Sequence, residues 1–173
     1  MNLYFRLLKI LLLAYWERAC LGVFEESKIR FRCWPNDLDA NLHMNNGRYL
    51  TLLDIGRMDL TIRTGLLRQM LKNRWNPVAG GVLIRYRRPI APFQKFEIRT
   101  RVLGWDSKWF YLQQRFYGLD GKLIAAALVK AVFLGKTGSV PPAELARSMG
   151  HTGESPALPE AVAKWNSADE VLS

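Results

Sequence analysis

Thiols are almost missing from this 173-residue chain: Cys20 and Cys33 are the only two, and no CxxC spacing links them. One such pair makes neither a disulfide framework nor a zinc site, and it suits a reducing, cytoplasmic compartment. Histidine is as scarce. His43 and His151 lie far apart, which leaves no transition-metal constellation, and neither a GxGxxG nor a Walker-type loop is present. No cofactor and no metal are expected. A bilayer-spanning helix needs about 18 or more uninterrupted apolar residues. The longest clean run here, Ile10 to Trp16, is closed by Glu17 and Arg18, so spanning is disfavoured. A cleaved leader would end in a small-x-small site, which Trp16-Glu17-Arg18-Ala19-Cys20 does not offer.

Acidic residues are also in short supply, 15 against 25 Lys and Arg, for a net charge of +10. A field of that sign attracts anionic lipid, the phosphates of coenzyme A, an acidic carrier protein or nucleic acid about equally well, so charge is permissive only. What is plentiful is apolar surface, 49% of residues, enough for one domain with a real core. Met1 to Gly22 is strongly apolar. On a helical projection Asn2, Arg6, Lys9 and Glu17 fall on one side of it, leaving a broad apolar face to be covered by the domain, by a partner subunit or by peripheral contact with the inner face of a membrane. In the last case Arg6 and Lys9 would favour anionic lipid.

Lys28 to Trp34 alternates polar and apolar residues, the period of a half-buried strand with Ile29, Phe31 and Cys33 inward. Pro35 ends it. From Asn46 to Thr64 the residues Tyr49, Leu52, Leu53, Gly56 and Leu60 recur at spacings of three and four, as in a buried helix. Gly65 interrupts, and Leu66 to Lys72 adds a short second helix. Four strand-like blocks follow, Val78 to Arg88, Phe96 to Trp105, Lys108 to Tyr117 and Lys122 to Lys136. They are separated by Pro89 with Pro92, by Gly104 with Asp106, and by the tight-turn signal Asp120-Gly121. The order predicts an α+β domain in which one long central helix is wrapped by a curved antiparallel β-sheet. The expected organisation is an N-terminal helix over 1–22, the main domain over 23–140, and a peripheral extension over 141–173 ending in a short amphipathic helix from Pro159 to Val171.

Between the first strand and the long helix the chain reads Asn36-Asp37-Leu38-Asp39-Ala40-Asn41-Leu42-His43-Met44-Asn45-Asn46-Gly47-Arg48-Tyr49. A cap needs one Asp or Asn, and this stretch holds more than capping uses. A carboxylate just before a helix can act as nucleophile or as general base toward water, while the first free N–H groups of the helix face an incoming carbonyl oxygen. Asn45, Asn46 and Gly47 are the candidates for that helix start, Gly47 leaving room for a thioester.

Asp39-x-Asn41-x-His43-x-Asn45-Asn46-x-x-Tyr49 resembles the DxDxxxHxNNxxY signature of hotdog thioesterases of the 4-hydroxybenzoyl-CoA thioesterase type, and its DxNxHxNNxxY version is similar to the acyl-ACP thioesterases. Together with Phe96-Glu97-x-Arg99-Thr100-Arg101-x-Leu103-Gly104-Trp105-Asp106 it also resembles the thioesterase superfamily member six group. The resemblance implies a hotdog fold and hydrolysis of acyl-CoA or acyl-ACP thioesters. It implies Asp39 as nucleophile or general base, Asn46 as the helix-start N–H that polarises the thioester carbonyl, and Asn41 and His43 as assistants to water. Asp54 stands where the family has a glutamate after the tyrosine, one place nearer than in the plant enzymes. Hotdog relatives complete their substrate tunnel between subunits, which implies a homodimer or homotetramer and no nucleic-acid partner.

Other candidates rest on pattern. The turn or cap reading is favoured for Asp37, and a histidine bonding the loop backbone is the alternative for His43. Arg85, Arg87 and Arg88 are the first choice for the phosphates of coenzyme A, against a solvated strand face. Trp109, Phe110 and Tyr111 alternate, so one face of them can line an acyl tunnel and the other meets core or a subunit. Ala125-Ala126-Ala127 suits close approach of another element. The competing activities are an (R)-specific enoyl-CoA hydratase, whose pattern sets histidine five residues after aspartate with a proline between, and a non-catalytic acyl-binding protein of the same fold.

Overall fold

Alternation along Ser27–Arg32 (β1) buries Ser27, Ile29 and Phe31 and leaves Lys28, Arg30 and Arg32 outside, as a strand with one wet face must. The computed structural model describes residues 5–8, 10, 12, 21–169 and 171. After a short 3-10 turn at Pro35–Asp37 come the long helix Asn46–Arg63 (α1) and the short helix Leu66–Asn73 (α2). The strands Asn76–Tyr86 (β2), Lys95–Trp105 (β3), Phe110–Gly118 (β4) and Leu123–Gly135 (β5) follow. A short strand Gly138–Val140 (β6) and the helices Pro142–Ser148 (α3) and Glu160–Asp169 (α4) complete the described chain.

All strand pairs are antiparallel, in the order β1-β3-β4-β5-β2, with β6 paired to the end of β5. β3, β4 and β5 are joined as consecutive hairpins. β2 instead crosses to the far edge, where Tyr86 lies opposite Ala125 and Val78 opposite Val132. The sheet curls round α1, and their shared core has two parts. Tyr49, Leu52 and Leu53 pack against Ile98 and Phe116 towards the start of the helix. Leu60, with Leu66 and Met70 of α2, packs against Val102, Leu112 and Phe133 towards its end. Leu145 and Ala146 of α3 are fully buried in that second part.

One contact sets how deep the helix lies. A Cβ at Gly56 would stand 2.8 Å from both Gln114 Nε2 and Thr100 Oγ1. Neither atom can swing away cheaply, because Gln114 donates to the Leu53 carbonyl at 2.9 Å and to Thr100 at 3.0 Å, and accepts from Arg57 at 2.9 Å. The buried amide is thus satisfied only while the helix backbone stays close.

One expectation changes. Arg6 is not on an outward polar face: it is buried and ion-paired with the equally buried Asp37, because a carboxylate enclosed at that depth requires a cation. Ala125 and Ala127 let another element come close, packing into the protomer's own core on the interior strand β5. β2, at the edge of the sheet, is exposed along nearly its whole length. Lys9 and most of the run Ile10 to Trp16 lie outside the described residues, and among those described no helix is long and apolar enough to cross a membrane.

Gly56→Ala tests the close approach. Overpacking costs about 1–3 kcal/mol against a helix-propensity gain of up to about 1 kcal/mol. A net loss of about 1–2 kcal/mol is expected, read as a Tm lower by roughly 3–6 °C. An unchanged or higher Tm would show that the helix is free to back away.

Candidate active site at the start of the long helix

The polar stretch folds as a small closed turn leading into α1. The Asp39 N–H donates to the His43 carbonyl at 2.9 Å, and the Leu42 N–H donates back to the Asp39 carbonyl at 3.1 Å. Leu38 and Met44 form an isolated bridge, and the Met44 N–H is anchored on the Ile90 carbonyl at 3.0 Å. To close so tightly the chain passes through φ +58° at Leu42, a left-handed conformation that a leucine adopts only at a cost. Its side chain stays exposed.

Within this turn the half-buried Asp39 carboxylate accepts the Asn41 N–H at 2.9 Å through Oδ1, an Asx turn that fixes its orientation. His43 is exposed, and its ring has no partner among the described residues. It contributes its carbonyl, not its imidazole, to the loop, so the backbone-bonding alternative has no support in its contacts. Asn41 is exposed beside it. Asn45 is the N-cap: its Oδ1 accepts the Gly47 N–H at 2.8 Å and its carbonyl accepts the Arg48 N–H at 2.9 Å. Of the first free N–H groups of the helix, the one left without a partner among the described residues is that of Asn46.

Tyr49 lies one turn in, buried against Phe116 and Tyr86 at ring separations of 5.0 Å. Burial first, then the neighbouring Tyr86 and Cys33, push its hydroxyl up to about 12, with a backbone hydrogen bond from Ile90 working the other way. It stays neutral and acts as a wall. The Tyr86 hydroxyl donates to the Asn46 carbonyl at 3.4 Å, bringing the end of β2 to the helix start. Strand alternation then turns Arg85 to the opposite face, while Arg87 and Arg88 leave the strand exposed, both N–H groups on the Ile124 carbonyl.

Asp54 does not join this group. Eight residues into the helix, it stands roughly 12 Å along the axis from Asn46, largely exposed and ion-paired with Arg57. There it borders an apolar cavity of about 240 Å³ between the second half of α1, α2 and the sheet, lined by Met58, Leu60, Met70, Val102, Phe110 and Phe133 among others. Burial lowers the pKa of Arg57 and the charge of Asp54 offsets it. Phe110 faces the cavity. Tyr111, as alternation requires, faces the other side, where its hydroxyl donates to Asp106 at 2.6 Å and accepts from Asn166 of α4 at 2.6 Å. Lys130 lies over the Trp109 and Trp165 rings and pairs with Asp169. That side of Tyr111 is therefore covered by α4 of the same chain. The cavity and Arg57 had no signal in the sequence. Among the described residues no three His, Cys, Asp or Glu side chains are grouped to hold a metal ion.

Comparison with known proteins bears on the fold and the family. A protein called THEM6 from Xenopus laevis is 39% identical over 131 residues, 76% of this chain and 62% of that protein. The Drosophila melanogaster protein of the same name is 34% identical over 143 residues, 82% of this chain and 72% of the relative. The chain thus spans less than two thirds of the Xenopus relative. Among solved structures, YbaW, a probable thioesterase from Escherichia coli, superposes with a TM-score of 0.67 at 23% identity, over 72% of this chain and 96% of that one. A Staphylococcus aureus protein, SAV2348, solved in complex with CoA, superposes with a TM-score of 0.66 at 14% identity, over 80% and 91%. These likenesses show the hotdog fold. The sequence profile described as the thioesterase-like superfamily matches residues 33–166, which takes in the Asp39 turn, α1 and every strand after it, and the chain belongs to that family.

Proposed function

We propose that the chain hydrolyses acyl thioesters of coenzyme A or of an acyl carrier protein to the free acid and the thiol, with Asp39 as nucleophile or general base. One observation carries this reading. A half-buried carboxylate aimed by its own Asx turn precedes a helix whose capping leaves one N–H, that of Asn46, unused. Either Asp39 takes a proton from the attacking water, or it attacks the carbonyl itself to give an anhydride that water then opens. In both courses the C–S bond breaks and the thiolate leaves with a proton. Negative charge develops on the carbonyl oxygen, where one preorganised donor is worth about 10²–10³ in rate. Asn41 and His43 are exposed on the same turn and serve to orient water.

The cavity bordered by Asp54 and Arg57 supports an acyl end of the substrate. At about 240 Å³ it exceeds the apolar cavity of about 150 Å³ that takes benzene. Arg87 and Arg88, exposed beyond the end of β2, are the proposed phosphate contacts, and the CoA bound in SAV2348 supports that chemistry. The working unit is proposed to be a homo-oligomer joined through β2. That strand ends the sheet with Val78, Val82, Leu83 and Tyr86 exposed, and a long apolar edge of this kind is a template for another strand. Peripheral membrane contact is assigned to Phe5, Leu8 and Leu12, exposed at helical spacing. With Arg6 turned inward, that contact rests on apolar burial more than on attraction to anionic lipid.

Against a panel of acyl-CoAs with a thiol reagent, Asp39→Asn is expected to fold normally and lose about 10²–10⁴ in kcat, and His43→Ala to lose less. Near-normal turnover in a folded Asp39→Asn protein sinks the assignment. For the interface, Leu83→Lys at the exposed edge is expected to shift the protein towards monomer in light scattering. A wild-type protein that is already monomeric removes the β2 interface. In liposome flotation the full chain is expected to float at both low and high salt, and a Phe5→Ser, Leu8→Ser, Leu12→Ser variant to stay at the bottom. Equal flotation of the two proteins removes the lipid contact.

A further inference from the structure

The Asp37 carboxylate, two residues before Asp39, is 1% exposed and lies where four segments meet. Its Oδ2 takes the Arg6 guanidinium from the N-terminal helical residues and the Trp34 N–H at 2.9 Å. Its Oδ1 has no hydrogen bond and looks towards Arg48 Nε of α1 at 3.6 Å. Its backbone carbonyl accepts the N–H of Asn45, the helix cap, at 2.8 Å. Arg6 is itself 3% exposed, donates to the Arg32 carbonyl at 3.2 Å and lies over the Phe31 ring at 5.9 Å. The second arginine is less committed: Arg48 donates to the Asn36 carbonyl at 3.1 Å and is only partly buried. Arg6 is therefore the cation that compensates the enclosed carboxylate. Removing one partner of such a pair strands the other in a medium that cannot solvate it.

We infer that Arg6 and Asp37 form a positioning pair through which the N-terminal segment sets the geometry of the Asp39 turn and the Asn46 helix start. This rests on the proposed role of that site, and the contacts give its mechanism. Without the cation Asp37 is drawn towards water, pulling the Asn45 N–H and the start of α1 with it. The groups facing it are Arg6, Arg48 and the Cys33 thiol, whose pKa, raised to about 11 by burial and then by the charge of Asp37, keeps it neutral. Removing the stranded carboxylate as well relieves that pull, which gives the pair a signature that simple loss of stability lacks.

The test is Arg6→Met, alone and combined with Asp37→Asn, with Arg6→Lys as a variant that keeps the charge. On the acyl-CoA that wild type turns over best, Arg6→Met is expected to lower kcat about 10²-fold at roughly pH 8, the scale of a small misplacement at a reacting centre. The double variant, with no stranded charge, is expected to return most of the rate. Arg6→Lys, which keeps the charge, should fall between. Wild-type kcat in folded Arg6→Met, or a loss not relieved by Asp37→Asn, overturns the inference. Amide hydrogen exchange at Asp39, Met44 and Asn45 decides it separately from catalysis. Faster exchange in Arg6→Met and recovery in the double variant support the pair even if wild type hydrolyses no thioester, and unchanged exchange overturns it. If Arg6→Met alone does not fold, Arg6→Lys against the double variant carries the same comparison.

Discussion

The depth at which α1 sits in the curled sheet governs the rest of the molecule, and Gly56 sets it. Any side chain there would meet Gln114 and Thr100, and Gln114, which also donates to Thr100, reaches the helix backbone at Leu53. A helix seated this low buries its flank against β3 and β4 and has to begin where the sheet opens. The capping residue, the spare N–H of Asn46 and the carboxylate before it are then carried to the surface at one end. The cavity is left at the other, where α2 and the sheet no longer close round the helix.

Much of this was legible because it is local. Period-two alternation marks Ile29 and Phe31, and spacings of three and four mark Tyr49, Leu52, Leu53, Gly56 and Leu60, so the order of elements follows from side chains and their immediate neighbours. The centre of the Asp39 turn is equally local, since the hydrogen bonds of Asp39 reach only Asn41, Leu42 and His43, whereas its anchor on Ile90 is not. What failed to show depends on partners distant in the chain. Arg6 reads as a polar-face residue until Asp37, 31 positions on, is seen beside it. β2 looks like its neighbours until the crossover puts it at an edge. Asp54 falls near the family's acidic position, one place off its spacing in the plant enzymes, but the rise of the helix carries it away from Asp39 and towards the cavity. The short β6 and α3 carry too little pattern to read, and their burial comes from the second part of the core.

The local energetics at the helix start show how the proposed reactive geometry is held. Asn45 spends its side chain on Gly47 and its carbonyl on Arg48, so among the described residues capping is complete except at Asn46, the position proposed to receive the substrate oxygen. The strained Leu42 is the cost of closing the loop between Asp39 and His43. It is offset by backbone bonds on either side, down to the anchor of Met44 on Ile90. Replacing that leucine by a residue content with positive φ would relax the turn without touching a reactive group, a separation of strain from chemistry that is common where a site is preorganised.

The crossover that puts β2 at the edge has a consequence during synthesis. Residues 76–86 leave the ribosome well before 125–134, the strand they pair with among the described residues, and at roughly 5–20 residues per second the wait lasts some seconds. Through that interval β1, β3 and β4 can assemble from sequence already made, while Val78, Val82 and Leu83 have no mate. Two nascent chains on neighbouring ribosomes would each present the same unpaired strand, so translation is the period in which this fold is most open to mispairing and to chaperone capture. The Gly80-Gly81 bulge, with Trp109 packed where a Cβ at Gly80 would lie, pins the register only once β4 and β5 are in place.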